Sequence, residues 1–183
     1  MNNTKHHIFE YIVFKLREWY ASKDGQDINN NDLSLLKVFK LHFFVCAINS
    51  ENDSSLLDTF DNFHALPYGP VESDIYNSDT TEAIFNLTRS TCKVVSEIEL
   101  TVDLFNDIDE VIRASVDESI KTLKDTQPDL VLESAGVLVE LSHLWDSWRM
   151  AYQRGKRLGR YSYPMSKDMI KEDEKIIDVD MLN

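Results

Sequence analysis

The sequence predicts a mainly α-helical single domain, on three observations. Apolar residues recur at helical spacing over residues 5–22 and again over 104–123. A second segment, LSLLKVFKLHFFVCAIN at 33–49, is apolar nearly all round and therefore belongs in the middle of a core. Five glycines and four prolines in 183 residues leave little room for long irregular stretches. That length suffices to bury one sound core.

The first helix carries Ile8, Phe9, Ile12, Leu16, Trp19 and Tyr20 along one side. A polar loop, 23–32, follows, and Asp32 is placed to cap the second helix. Lys37 and Lys40 share one side of that apolar helix, so each must snorkel to water or find a carboxylate. Residues 50–62 read as polar linker with a short apolar turn. Ile98, Leu100 and Val102 alternate with polar neighbours, which is a strand period, so a small two-stranded β element is expected within 91–102. The helix over 104–123 is broken at Gln127-Pro128. A last long helix carries Leu138, Leu141, Trp145, Trp148 and Tyr152 and stops at Gly155. Residues 1–160 form the helical domain. Residues 161–183 form a tail or short extra helix with a weak pattern at Met169, Ile170, Ile176 and Ile177.

The stretch FHALPYGPVESDIY at 63–76 concentrates special residues. Pro67 fixes one backbone angle, Gly69 permits an unusual one, and Pro70 suits a first helical position. Glu72 and Asp74 suit the first turn of a helix, and Ile75 and Tyr76 are expected to face the core. The reading is a rigid corner that aims a short helix.

Chemistry is sparse. The five histidines show no helical zinc spacing, and Cys46 and Cys92 sit in apolar surroundings like buried thiols. There is no phosphate loop and no nucleophile elbow. Ser142, His143 and Asp146 are close in sequence, but adjacent helical residues point about 100° apart, so Ser142 and His143 do not face each other. No cofactor, metal or catalytic group is expected, and no enzyme. No apolar run reaches the length of a membrane helix and no leader pattern opens the chain, which suggests a cytoplasmic protein.

The net charge of −13 disfavours a nucleic-acid grip and suits basic protein partners. The charges are sorted. Residues 103–140 hold ten acidic and three basic side chains, 149–167 hold six basic and none acidic, and 168–183 hold six acidic and two basic. The bland account of the basic stretch is dipole complementarity plus pairing with the acidic tail.

The corner resembles the signature of the Panacea, or SocA-like, antitoxin domain of bacteria and their phages. Phe63, Ala65, Tyr68, Gly69, Pro70, Val71 and Tyr76 match it in order. Lys40, Leu41, Phe43 and Phe44 resemble a second block of that family, and Leu141, Ser142, His143, Trp148 and Ala151 a third. The resemblance spans 33–152; 50–62, 77–102 and the chain beyond 155 match nothing in it. It implies a helical domain that neutralises a toxin by direct protein binding, the toxin being encoded by a neighbouring gene. The motif residues would be scaffold. The partner surface would then lie in the charged, unmatched parts: Asp109, Asp117 and Glu118 on the acidic helix, and Arg154, Arg157, Met169 and Ile170 near the end. The alternative is a regulatory nucleic-acid binder using the basic stretch 149–160.

Overall fold

A computed structural model describes residues 2–52, 55–78, 83–95 and 97–182. The architecture is mainly α, as expected, with two small antiparallel sheets. None of the helices among these residues is long and apolar enough to cross a membrane.

Helix α2 (Leu35–Ile48) is the axis of the molecule: every residue from Lys37 to Ala47 is buried. Helices α1 (Asn2–Ala21), α4 (Glu110–Thr126) and α5 (Ala135–His143) pack around it. Each of α2, α4 and α5 starts on a side-chain cap. Ser34 accepts from the Lys37 N–H, Asp109 from Val111 and Ser134 from Val137. Asp32 is therefore not the cap of α2. Its carboxylate accepts instead from Lys37 Nζ, 2.8 Å away.

The corner at 63–76 is a β-hairpin before it is a helix start. Strands β1 (Phe63–Leu66) and β2 (Gly69–Glu72) pair antiparallel with Leu66 opposite Gly69, so Pro67 and Tyr68 are the whole turn. Pro70 lies in β2 rather than in a helix. It is tolerated there because β2 is the edge of a three-stranded sheet with β1 in the middle. Helix α3 (Ser73–Tyr76) begins after it, capped by the Glu72 carboxylate on the Ile75 N–H at 2.9 Å. Ile75 is buried as expected, but Tyr76 is 58% exposed, its ring 5.9 Å from that of Phe39. A four-residue helix has too little surface to turn two consecutive side chains inward.

The second sheet pairs β3 (Phe85–Leu87) with β4 (Cys92–Val94), upstream of the predicted strand period. Ile98 and Leu100 pack against the core from a loop, and Val102 is exposed at the start of a 3-10 turn. Their alternation reflected contact with the core, not membership of a ladder. The long C-terminal helix is two helices, α5 and α6 (Asp146–Arg157). They break at Trp145, whose ring is wedged between Phe43 and Phe44 and whose Nε1 donates to the Ile176 carbonyl. The break frees the Ser147 N–H, which the Asp173 carboxylate accepts at 3.1 Å. Helix α6 runs through Gly155 and ends before Gly159, whose φ is +67°. Gly155 serves close packing: a Cβ there would lie 3.0 Å from the Cβ of Tyr163.

Residues 161–182 are integral to the domain. Strand β5 (Tyr163–Pro164) pairs with β1, and α7 (Lys167–Glu172) follows. Met165, Ile170 and Ile177 are all in the core. Ile170, predicted as a partner anchor, is 1% exposed and cannot be one; Met169 beside it is half-buried. Replacing Ile170 with alanine should therefore cost about 2–5 kcal/mol in urea unfolding, the usual range for a filled core site. Met169→Ala should cost less than half as much.

Candidate functional site

The three sequence blocks converge on the β1–β2 hairpin. Gly69 has φ +94°, a region open to glycine and strained for other residues. The space beside it is taken as well. A Cβ at this position would collide with the Ser142 hydroxyl and lie 3.0 Å from Lys40 Nζ. Lys40 from α2, Gly69 from the hairpin and Ser142 from α5 thus meet at one point.

Lys40 is completely buried and meets no carboxylate among the described residues. Its Nζ donates to the Pro70 carbonyl. That acceptor is free to face inward because it lies on β2, clamping the edge strand to α2. Burial pushes the Lys40 amine down to about 7. Lys37 differs: burial also lowers it, but it reaches Asp32 at the surface. The expectation that both would snorkel or find a carboxylate holds for Lys37 and fails for Lys40, which settles for a backbone carbonyl.

Ser142 is buried and its hydroxyl donates to the Val139 carbonyl at 2.7 Å. His143 stacks on Trp148 at 3.8 Å, and Tyr152 stacks on the same indole at 4.8 Å. Trp148 Nε1 donates to the Leu66 carbonyl at 3.0 Å, so this ladder of rings holds the hairpin from α6. Burial first, then the Lys40 charge, holds the His143 imidazole below its usual range, against the opposing pull of the Pro67 carbonyl. Leu41, Phe43, Phe44, Phe63, Ala65, Val71 and Leu141 are core residues around these contacts. Tyr68 is the exception, standing 70% exposed at the hairpin tip.

Two further groups escaped the sequence reading. Asp61, Glu72 and Asp74 lie close enough to share a cation, and Lys5 Nζ sits among them at 2.5–3.0 Å. Burial pulls the Lys5 amine down, but the three carboxylates outweigh it and hold it above its usual value. This is an internal ammonium that ties α1 to the hairpin. His42, on α2, is enclosed by Phe9, Phe60 and Phe63, with neither ring nitrogen paired. Burial, with smaller pushes from Lys5 and Lys40, drops it to about 3, so it stays a neutral ring. No local motif in the sequence signals either group, since both depend on residues far apart in the chain.

The predicted partner residues separate. Asp109 caps α4, and Asp117 accepts from the Tyr11 hydroxyl at 2.9 Å and from Lys15 at 3.4 Å. Both do structural work that reversal of charge would undo. Glu118 is exposed. Arg154 and Arg157 are exposed and line one cleft with Met150, Gln153 and Leu158. Among the described residues the acidic tail does not pair with them; Asp173 lies instead at the opposite end of α6.

These features define a mainly α domain built round a buried helix, with a small hairpin clamped to it by a lysine and a tryptophan. No protein-family model, curated protein or solved structure matches the chain.

Two outcomes follow from the clamp. Gly69→Val should lower stability by about 3 kcal/mol or more, because backbone strain and a collision add; thermal melting reads it. For Lys40, the folded amine titrates near 7 while the unfolded one keeps an ordinary value near 10.4. Between these the unfolded chain binds more protons, so burying Lys40 carries a cost that is complete below about 7 and shrinks as the pH climbs through the window. The stability of the natural chain relative to Lys40→Met should therefore grow from pH 7 to pH 10 in paired urea titrations. A difference independent of pH would place the Lys40 charge elsewhere.

Proposed function

We propose that the chain is an antitoxin-type inhibitor that neutralises a bacterial toxin by direct, stoichiometric protein binding. The reading rests on the resemblance of three sequence blocks to the Panacea family. The structure adds one supporting observation. The polar groups of those blocks are turned inward, as a clamp on the hairpin, while the residues left outside are of the kinds that dominate protein interfaces. Tyr68 stands out at the hairpin tip, and Met150, Arg154, Arg157 and Tyr161 lie on and beyond α6. On this reading the clamp keeps the hairpin in one shape before the partner arrives, which lowers the ordering cost of binding.

A nucleic-acid-binding role has one observation in its favour: Arg154, Lys156, Arg157 and Arg160 have no carboxylate partner among the described residues. Against it stand the net charge of −13 and the apolar residues interleaved with those bases.

The test is co-expression with the protein encoded by the adjacent reading frame. Growth should be arrested by that protein alone and restored by the chain, and the two should copurify at a fixed ratio. His143→Gln, which removes a ring from the stack but no exposed contact, should still restore growth if it folds. Tyr68→Ala should keep the fold and weaken protection. Persistent arrest beside folded, soluble chain would defeat the reading.

A further inference from the structure

The outer face of α6 and the turn after it hold chemistry that the fold does not use. Seven other bases, among them Lys5, Lys15, Lys23, Lys37 and Lys121, each sit on a carboxylate. Arg154, Lys156, Arg157 and Arg160 meet none among the described residues, although the chain has 32 acidic side chains against 19 basic ones. Two acids near α6 are committed elsewhere: Asp146 pairs with Arg149, and Asp173 accepts from the Ser147 N–H at 3.1 Å.

Two of the four bases are positioned. Arg154 lies over the Tyr163 ring at 5.6 Å and Lys156 over Tyr152 at 5.7 Å. The helix dipole accounts for basic residues in the last turn of α6. It does not account for Arg160, which lies beyond the helix. Nor does it account for three large apolar side chains left in water: Met150 at 58% exposure, Leu158 at 57% and Tyr161 at 85%. Met150, Gln153, Arg154, Arg157 and Leu158 together border one open groove along the outer face of α6.

We infer that this face is the docking surface for an acidic amphipathic helix of a partner protein. An apolar side chain of that helix fills the groove between Met150 and Leu158, and carboxylates one turn away meet Arg154 and Arg157. The inference rests on the protein-binding reading above and names the partner's chemistry. Charge complementarity selects the occupant. An exposed apolar groove flanked by unpaired guanidinium groups fits a side chain set that alternates apolar and acidic at helical spacing. A nucleic acid would leave Met150 and Leu158 without a use. A second copy seated on this same face would set its own Arg154 and Arg157 against these.

The experiment uses the full chain and fluorescence anisotropy with three labelled probes. They are a synthetic amphipathic helix of leucine and glutamate, the same helix with lysine for glutamate, and a short DNA duplex. The acidic helix should bind, and less tightly as salt rises. The Arg154→Glu, Arg157→Glu double variant, whose side chains are exposed, should keep its circular dichroism and bind about tenfold more weakly. Met150→Ala should weaken binding with the salt dependence unchanged. No binding of the acidic helix overturns the inference. So does equal binding of the basic helix, tighter binding of the duplex, full binding by the double variant, or dimers in sedimentation that the double variant abolishes. Co-expression with the toxin keeps the two ideas apart. A double variant that still protects removes this face and leaves the antitoxin reading standing, whereas failure of the natural chain to protect removes that reading.

Discussion

The hydrogen bond from the buried Lys40 ammonium group to the Pro70 carbonyl is the contact on which the hairpin depends. A lysine in the centre of a core is costly, because its charged form loses water and gains no counter-ion. It is held there by geometry. Proline at position 70 has no N–H to donate, and its carbonyl on the edge strand accepts what α2 offers. Gly69 leaves the room: any side chain there would meet Ser142 and Lys40 at once. Three residues far apart in the chain are thus mutually required, and none has an obvious role alone.

The rest of the structure supports this contact from several sides. Trp148 holds the Leu66 carbonyl from α6, and Lys5 holds Glu72 and its acidic neighbours from α1. Strand β5 completes the sheet beside β1, and Asp173 fixes the start of α6. The polar chemistry of the chain is largely spent on tying elements together. What is left over at the surface includes an aromatic at the hairpin tip and a basic and apolar face on the outer side of α6.

The charge pattern shows why sequence and structure gave different weight to the same residues. Asp109, Asp117 and Glu118 on the acidic helix read as a partner surface, yet Asp109 and Asp117 are occupied by an N-cap and a tyrosine hydroxyl. The acids after 168 read as counter-ions for the bases before them, yet the chain turns back and brings them to the far end of α6. Sequence order sets which charges are near along the chain. It does not set which are near in space once β5 and α7 have folded against β1 and α6.

The sequence by itself determined the helical class, the buried position of α2, the approximate extents of α1 and α4, and the presence of a rigid glycine–proline corner. These follow from periodicity and backbone chemistry, which act over a few residues. Only the tertiary structure decided that the corner is a hairpin, that the predicted long helix breaks at Trp145, and that Ile170 is core while Arg154 and Arg157 are left unpaired. It also decided what Lys40, Gly69 and Ser142 are for. Each of these depends on contacts between segments tens of residues apart, where steric fit and the pairing of buried polar groups choose among conformations that local propensity leaves nearly equal.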